Sequence, residues 1–362
     1  MKKSFLSAAA VAGAAVVLLA GCSSSTGGDT GGGDGGGESG GGDAAGRACV
    51  ILPDAASSPR WENFDRKYLQ EGLEAAGFEV DIQNAQGNTN TYSTIADQQL
   101  TQGCGVMLLV DYQGAAEAVA ANATAEGIPV IAYDRPFEGA DYYVSFDNME
   151  VGRLQGQTVL DGLEAAGKDP ATATVVYMGG DPTDGNAAMF KSGAVEVMEG
   201  AGITPAAEPP GVWDQAESQT NFEQALTSLG GQVDGVWAAN DTNAAGVIKV
   251  LQDNNLEGVA VSGQDANVAG LQNILLGWQT ATVYKPVKDE ADAAVELAVA
   301  LLNGEEVTAD AELEDGTPYI QVTPVLVGPN EVKDVIAAGD AAYDDVCTPD
   351  VMAACEEFGV TE

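Results

Sequence analysis

Short apolar runs that end in polar clusters are the feature that most constrains the fold of this chain. They alternate with longer helical stretches, which is typical of buried parallel strands in an α/β sheet. In such a sheet the ligand crevice lies just beyond the carboxyl ends of the strands. Five runs have this form: VIAY before Asp134-Arg135, VVYMGG before Asp181 to Asn186, VWAA before Asn240-Asp241, VAVSGQ before Asp265, and TATVY before Lys285. The pattern predicts a polar ligand site at these strand ends.

Two successive sets of strand and helix units are predicted. The first set begins with a strand at Cys49–Pro53 and a helix at about Arg60–Ala76, and it ends with a short strand near 142–145. The second set begins with a helix at about 149–166 and ends with a strand-like run at Ile320–Val327. Repeated units of this kind indicate an α/β fold with parallel sheets. Two sets of about five strands favour two lobes over one very wide sheet.

The first 46 residues predict export and a tether rather than a folded body. Lys2 and Lys3 precede an apolar stretch, and residues 1–22 close with Leu-Ala-Gly-Cys, which indicates a secretory signal with Cys22 as the lipidated first residue of the mature chain. A plain signal peptide is the alternative. Residues 23–46 contain 12 glycines and four acidic residues, so they predict a flexible acidic linker. We therefore expect an extracytoplasmic protein that is held at the cell membrane by its lipid anchor.

Charge and composition exclude several classes of function. The chain has 55 acidic and 14 basic residues, no histidine, and a formal net charge of −41. A nucleic-acid partner is not expected, because phosphate binding needs a basic face. The absence of histidine excludes every mechanism that depends on a histidine base or a histidine-ligated metal. No phosphate-binding glycine loop follows a strand, so we predict no cofactor and no metal.

Besides Cys22, the chain has four cysteines. Their number is even and an exported protein meets an oxidising environment, so two disulfides are expected. Cys347 and Cys355 are eight residues apart in a polar C-terminal segment, and we expect them to be bonded. Cys49 and Cys104 precede or open neighbouring strands of a doubly wound sheet, so a second bond between them is reasonable. A pair of buried free thiols is the alternative for Cys49 and Cys104.

The candidate ligand site is formally neutral, although the chain is strongly acidic. Its predicted hydrogen-bonding members are three acids, three bases and two amides: Asp134, Asp184, Asp265, Arg60, Arg135, Lys285, Asn186 and Asn240. Ionised carboxylates accept hydrogen bonds, Arg and Lys donate them, and amides do both. A neutral ligand with many hydroxyl groups uses both capacities, and each contact with a charged group is a strong one.

Two tryptophans complete the predicted site. Trp61 and Trp213 lie in polar, loop-like surroundings, and aromatic rings cover the apolar C–H faces of sugars well. Ordinary packing is the alternative for each. For each aspartate of the site considered alone, the alternative is that it caps a helix. Asp241 and Asn267 are expected to serve as helix caps.

The order of the motifs resembles a known family. The stretches are IAYDR from Ile131, SFDN from Ser145, MGGDPTDGNA from Met178, AND from Ala239, SGQDA from Ser262 and QTATVYKP from Gln279. Together they resemble the bacterial periplasmic-type sugar-binding proteins of the ribose/galactose class, and within it the D-xylose-binding members. The resemblance covers about Cys49 to Val327.

The resemblance implies a type I periplasmic binding protein fold, in which two doubly wound parallel-sheet lobes are joined by a three-strand hinge. Residues 47–148 with about 285–310 would form the N-terminal lobe, 149–284 with about 311–330 the C-terminal lobe, and 331–362 a tail. It also implies sugar contacts from the eight polar residues above and stacking by Trp61 and Trp213. The lobes would close over the ligand by a hinge motion.

The function implied is capture of a monosaccharide and its delivery to the membrane permease of an ABC importer, by a monomer that performs no chemistry. D-xylose is favoured by the motif set, and glucose, galactose and arabinose are alternatives. A glycoside hydrolase that uses two of the aspartates is a weaker alternative. A sugar-responsive transcription regulator would need a basic DNA-binding segment ahead of the core, where this chain has the predicted signal and acidic linker instead.

Overall fold

A seven-stranded sheet and a three-stranded sheet organise residues 46–361, the part of the chain that the computed structural model describes. The predicted signal segment, the predicted lipidated Cys22 and all but the last residue of the predicted linker lie outside the described residues. The strands in chain order are β1 (Arg47–Leu52), β2 (Glu79–Asn84), β3 (Val106–Leu109), β4 (Val130–Tyr133), β5 (Tyr142–Phe146), β6 (Val175–Met178), β7 (Gly235–Ala238), β8 (Ala260–Val261), β9 (Thr282–Tyr284), β10 (Ala311–Glu312), β11 (Pro318–Val322) and β12 (Val325–Val327).

Twelve α-helices connect these strands within the described residues. They are α1 (Arg66–Ala75), α2 (Thr89–Gln102), α3 (Ala115–Ala125), α4 (Asn148–Ala165), α5 (Gly185–Gly200), α6 (Gln215–Ser228), α7 (Asp241–Asp253), α8 (Val268–Leu275), α9 (Val287–Leu302), α10 (Val332–Ala338), α11 (Tyr343–Val346) and α12 (Met352–Glu357). A π-helical turn at Trp61–Asp65 leads into α1, and a 3₁₀ turn lies at Pro170–Thr172. None of the helices in residues 46–361 is long and apolar enough to cross a membrane.

The first lobe is built on the seven-stranded sheet, whose strand order is β10-β11-β5-β4-β3-β1-β2. All its neighbours run parallel except β10, which pairs antiparallel with β11. The central strands β3 and β4 are buried at every position, as their apolar runs VMLL and VIAY require. Helices α2 and α3 cover one face, and α1 and α9 cover the other.

The second lobe is built on β6, β7 and β8, which run parallel in that order. Helices α4 and α5 pack on one face of this sheet, and α6 and α7 pack on the other. The backbones of α4 and α5 touch at two glycines, because a Cβ on Gly152 would lie 2.1 Å from the carbonyl oxygen of Phe190 and one on Gly193 would lie 2.1 Å from that of Met149. Both lobes therefore have helices on both faces of a parallel sheet, and the predicted fold class is confirmed.

The chain crosses between the lobes three times, and the third crossing corrects one predicted boundary. Residues 311–322 were assigned to the C-terminal lobe, but β10 and β11 extend the first sheet, with Tyr319 in register with Tyr143. The predicted continuous strand at Ile320–Val327 is broken at Pro324, which lacks the N–H that a continuing ladder needs. Only β12 then joins the second lobe, where it pairs antiparallel with β9.

The C-terminal segment is an integral part of the second lobe rather than a polar tail. Apolar side chains of α10, α11 and α12 pack with those of α8 in one buried cluster. Asp340, between α10 and α11, accepts hydrogen bonds from the hydroxyl of Tyr68 in α1, at 3.2 Å, and from the hydroxyl of Tyr284 in β9. The segment therefore contacts the first lobe as well as the second.

Both expected disulfides are present in the structure. Cys49 in β1 is bonded to Cys104, which lies just before β3, with their Cα atoms 5.8 Å apart. Cys347 and Cys355 are bonded across the turn between α11 and α12, with Cα atoms 6.0 Å apart. The first bond joins neighbouring strands of the first sheet, and the second holds the C-terminal segment together.

Removing the two disulfides should reduce stability unequally. The bonds close loops of 55 and 8 residues, and chain entropy then predicts losses of about 4 kcal/mol for Cys49→Ala with Cys104→Ala and about 2.5 kcal/mol for Cys347→Ala with Cys355→Ala. Urea denaturation of the two double variants measures both free energies of unfolding. A larger loss from the C-terminal pair would contradict this ranking.

Candidate functional site

One cavity between the two lobes is lined by all ten residues predicted as ligand contacts. The lobes lie so close together that only about 30 Å³ of this cavity is open to a water-sized molecule. Its walls consist of the predicted set and four further residues: Arg60, Trp61, Asp134, Arg135, Asp184, Asn186, Trp213, Asn240, Asp265 and Lys285, with Ser57, Ser58, Phe190 and Gln264. The carboxyl ends of β4, β6, β7, β8 and β9 supply most of the polar members, as the strand-end pattern predicts.

Two of the aspartates occupy unusual backbone conformations at their strand ends. Asp134 follows β4 with a φ of 62°, and Asp265 follows β8 with a φ of 94°. Few residues other than glycine adopt positive φ, and Asp and Asn tolerate it better than most. The carbonyl of Asp134 accepts hydrogen bonds from the Tyr143 hydroxyl at 2.8 Å and from Asn186 Nδ2 at 2.7 Å. These bonds hold the turn that aims the Asp134 carboxylate into the cavity.

Arg60 is the centre of a buried ion cluster behind the cavity wall. Its Nε and Nη2 donate to the two oxygens of Asp65 at 3.0 and 2.6 Å, its Nη1 donates to Asp134 Oδ2 at 2.9 Å, and its Nη2 also donates to Glu290. Four of the five guanidinium N–H groups are therefore used within the protein. One N–H on Nη1 remains for a ligand, so the main work of Arg60 is to fix Asp134.

The cluster shifts the pKa values of its two outer carboxyl groups in opposite directions. Burial raises the pKa of Glu290 well above its usual range, because the charge of Arg60 only partly offsets the loss of solvation. Burial also acts against ionisation of Asp134, but the charges of Arg60 and Lys285 outweigh it and hold the pKa of Asp134 below its usual value. Asp134 is therefore the more readily ionised of the two, and Glu290 keeps its proton to higher pH than an ordinary glutamate does.

Trp61 packs against two guanidinium groups. Its ring centroid is 4.6 Å from Cζ of Arg60 and 5.3 Å from Cζ of Arg135, which is a cation–π arrangement. Its Nε1 donates to Ser57 Oγ at 3.0 Å, and only 2% of the residue is exposed. Trp61 is thus packed within the protein and also lines the cavity, and its stacking on a sugar stays a prediction.

Trp213 forms a wall of the cavity on the second lobe. Its Nε1 donates to Asp184 Oδ2 at 3.0 Å, and its ring meets that of Phe190 edge-on, with centroids 6.5 Å apart. Trp237, by contrast, is fully buried in the core of the second lobe, as its place in an apolar strand indicates.

Asp184 and Asn240 combine helix capping with a place in the cavity wall. Asp184 caps α5 through the backbone N–H of Asn186, and it also pairs with Nε of Arg135 across the cleft at 3.1 Å. Burial raises the pKa of Asp184, and the charge of Arg135 opposes that shift. Asn240 caps α7 through the backbone N–H of Asn243. Capping and ligand-site geometry are therefore compatible at these positions.

Asp241 does not cap α7 as expected, because Asn240 holds that position. Instead its carboxylate is fully buried and accepts hydrogen bonds from Gln279 Nε2 at 2.8 Å, Thr282 Oγ1 at 2.9 Å and the backbone N–H of Asn267 at 3.0 Å. Burial raises the pKa of Asp241 to about 7. Asp241 thus ties the start of α7 to the segments that carry Asp265 and Lys285. The expectation for Asn267 holds, since it caps α8.

Asp265 and Lys285 face the cavity with unused hydrogen-bonding capacity. Lys285 Nζ lies 3.3 Å from Asp265 Oδ1 and 3.8 Å from Asp134 Oδ2. The closer pair lacks hydrogen-bond geometry, and Asp265 Oδ1 is buried without a hydrogen-bond partner in the described residues. A buried carboxylate oxygen in this position indicates a missing donor, because nearly all buried polar atoms are paired.

Direct hydrogen bonds join the lobes across the cavity. Asn186 Nδ2 reaches the Asp134 carbonyl, and Asn240 Nδ2 donates to the carbonyl of Ser57 at 3.2 Å. Ser58 Oγ lies 3.4 Å from Asp265 Oδ2. The structure therefore has the cleft closed, with cavity residues from both lobes in contact.

Several residues of the site were missed from the sequence. Asp65 and Glu290 support Arg60 from helical segments, where no strand-end signal exists. Helical periodicity could have flagged both, since Asp65 shares a face with Leu69 and Leu73, and Glu290 shares a face with the buried Ala294 and Leu297. Gln264 and the two serines lie beside predicted residues in loops, and Phe190 lies on a buried face of α5.

Two α/β lobes that enclose a polar cavity define a two-lobed ligand-binding protein. The profile of the family described as periplasmic binding protein domain matches residues 49–306. The chain is 36% identical over 289 residues to the D-xylose-binding periplasmic protein of Escherichia coli, covering 76% of this chain and 85% of that protein. The chain therefore belongs to the periplasmic binding protein family.

Two further relatives extend the comparison. The multiple sugar-binding periplasmic receptor of Rhizobium radiobacter is 28% identical over 327 residues, covering 81% of this chain and 90% of that protein. The structure of an ABC transporter solute-binding protein from Clostridium phytofermentans with bound β-D-glucose has a TM-score of 0.74 and 26% sequence identity, covering 83% of this chain and 99% of that one. The full two-lobed body is therefore shared with known solute-binding proteins.

Replacing Glu290 by Gln should change how stability depends on pH. The folded pKa of Glu290 is raised above its unfolded value of about 4.3. Above that pH the folded chain holds a proton that the unfolded chain releases, so this group makes stability fall as pH rises, by up to about 1.4 kcal/mol per unit. Glu290→Gln removes that slope, so its free energy of unfolding should improve relative to wild type between pH 5 and 8.

Urea denaturation across that pH range measures the difference, and Glu296→Gln on the exposed face of the same helix is the matched control. The control should follow wild type at every pH. Parallel curves for Glu290→Gln and wild type would show that Glu290 is ionised in the folded protein.

Proposed function

We propose that this chain is an extracytoplasmic substrate-binding protein that holds a neutral monosaccharide between its lobes. The observation that carries this proposal is the cavity wall, which combines three acidic with three basic side chains and leaves Asp265 Oδ1 without a hydrogen bond from residues 46–361, although Lys285 lies nearby. The wall is formally uncharged, although the chain carries a net charge of −41. Such a wall suits a ligand that is neutral and can both donate and accept hydrogen bonds.

A sugar satisfies the groups that the protein leaves open. A hydroxyl between Lys285 and Asp265 accepts from the ammonium group and donates to Oδ1, and both bonds are charge-assisted. Trp61 and Trp213 offer apolar ring surface at the same cavity, which suits the C–H faces of a pyranose. Sugar contacts from all ten predicted residues are part of this proposal, with Asn186 and Arg60 acting mainly as supports.

D-xylose is the proposed ligand. It is supported by the 36% identity to the D-xylose-binding protein of Escherichia coli. The relatives with broader or different ligands, a multiple sugar receptor and a protein crystallised with glucose, make a hexose the alternative. A pentose and a hexose differ by one hydroxymethyl group, so the space beside the bound ring decides between them.

Delivery to an ABC importer completes the proposal. The solute-binding protein of similar structure is described as part of an ABC transporter, and closure over a ligand gives a permease a state to recognise. We further propose that the chain acts as a monomer without catalysis and that lipidated Cys22 anchors it to the cell membrane. Mass spectrometry of the membrane-extracted protein, with a Cys22→Ala variant as control, tests the anchor.

Replacing Asp265 by Asn should weaken D-xylose binding about a hundredfold, because a charge-assisted hydrogen bond in a buried site is lost. Asn tolerates the positive φ at this position, so the fold should be retained. Isothermal titration calorimetry of wild type and variant with D-xylose, D-glucose, D-galactose and L-arabinose measures the loss and identifies the ligand.

Asp253→Asn, at an exposed position on α7, is the matched control and should bind as wild type does. Binding of D-xylose by Asp265→Asn with unchanged affinity would refute the placement of the sugar at this aspartate. Failure of the wild-type protein to bind any of the four sugars would refute the proposed ligand class.

A further inference from the structure

Gln264 is a buried side chain of the cavity that makes no use of its amide within the protein. It follows β8 by three residues and immediately precedes Asp265, and only 2% of it is exposed. Its Oε1 is buried without a hydrogen-bond partner, and its Nε2 donates to no group in residues 46–361. An amide can make several hydrogen bonds, so an idle one in a buried position is unusual.

The other buried glutamines of the described residues show what an amide with a structural role does. The Oε1 atoms of Gln99 and Gln279 are also buried without a hydrogen-bond partner in the described residues, so the difference from Gln264 lies in Nε2. Gln99 Nε2 donates to the carbonyls of Val50 and Asp81. Gln155 bonds through both atoms, to the Ala239 carbonyl and to Trp237 Nε1. Gln279 Nε2 donates to Asp241. Each of these amides joins two segments of the fold by a hydrogen bond, whereas the amide of Gln264 joins none in the described residues.

The backbone of Gln264, in contrast, is held firmly. Its carbonyl accepts from the backbone N–H of Asp241 at 2.9 Å, and the residue forms a parallel bridge with Val283 of β9. The next residue, Asp265, donates its N–H to the Val283 carbonyl at 2.9 Å. A fixed backbone on both sides sets the position and direction of the Cα–Cβ bond of Gln264, which is one requirement for a residue that recognises a ligand.

Gln264 is one of the residues that line the cavity. Gln264 lines the same space as Asp265, Lys285 and Phe190. A hydroxyl group placed there can donate to Oε1 or accept from Nε2, and no group of the described protein competes for either atom. The idle amide is therefore explained by a ligand that carries hydroxyl groups.

We propose that Gln264 is an additional sugar-contacting residue that recognises one particular hydroxyl of the bound monosaccharide. This inference rests on the proposed function and deepens it, since it names a residue that discriminates between sugars. A site that is built to hydrogen-bond a hydroxyl rejects analogues that lack it, because its own polar group is then left unpaired. Gln264 thus adds specificity to the affinity that the charged residues supply.

The test is a thermodynamic cycle that combines a protein change with a ligand change. Gln264→Met keeps the length of the side chain and removes its polar atoms, and D-xylose is compared with its 2-, 3- and 4-deoxy analogues by calorimetry. We expect Gln264→Met to bind D-xylose about tenfold more weakly than wild type does. For one of the three analogues, the wild type and the variant should bind equally, because the hydroxyl that Gln264 contacts is already absent.

The control is the same substitution at a buried glutamine outside the cavity. Gln99→Met should lower the melting temperature and leave every sugar affinity as in wild type. Gln264→Ala is a second variant for the case in which Met destabilises the fold, and it should select the same analogue.

The calorimetric experiment has three possible outcomes. Weaker binding with one analogue insensitive to the substitution supports the inference. Wild-type affinity in Gln264→Met and Gln264→Ala, or an equal loss for all four ligands, overturns it and leaves the proposed function intact. Failure of wild type to bind D-xylose and the other monosaccharides refutes the proposed function itself, so the two failures are distinguishable.

Discussion

The contact of Arg60 with three carboxyl groups is the interaction on which the site depends. It joins the turn before α1, the end of β4 and the first turn of α9, three elements that are distant in the sequence. Removing one partner of such a buried cluster typically costs about 3–5 kcal/mol, because the remaining charges are left uncompensated. The cluster therefore orients Asp134 and also holds α9, which follows the second crossing, against the first lobe.

The charge balance of the site depends on this cluster. Arg60 and Lys285 hold the pKa of Asp134 below its usual value, and burial raises the pKa of Glu290. The second lobe contributes Asp184, which pairs with Arg135 of the first lobe, and Asp265, which pairs with Lys285 at the second crossing. Each carboxylate of the cavity thus meets a cation from another part of the fold. The pair of Arg135 and Asp184 spans the cleft, so closure of the lobes brings these two charges together.

The sequence predicted the parts of the fold and site that depend on local patterns. Strand ends placed Asp134, Arg135, Asn240, Asp265 and Lys285, because parallel strands deliver their carboxyl ends to one edge. What it did not predict depends on pairing between distant segments. Nothing local indicates that residues 318–322 add to the first sheet, that Asp340 bridges Tyr68 and Tyr284, or that the C-terminal helices pack on α8.

Buried carboxyl groups on helices were the other omission. Asp65 and Glu290 are acidic residues on otherwise apolar helix faces, and such a residue can be satisfied only by a cation from elsewhere in the fold. Their partner, Arg60, was predicted as a ligand contact, whereas the structure uses most of its donors within the protein. Sequence motifs identify which residues gather at a site, but only the coordinates divide them into those that support the wall and those that face the ligand.

We propose that three acids and three bases, balanced around a buried guanidinium, build a cavity for a neutral polyhydroxylated ligand. Calorimetric titration of one protein preparation with D-xylose, with its anionic acid D-xylonate and with a cationic amino derivative tests it most directly. We expect the neutral sugar to bind and both charged analogues to bind at least about a hundredfold more weakly, because each adds an uncompensated charge to a buried site. Equal or tighter binding of either charged analogue would contradict the claim.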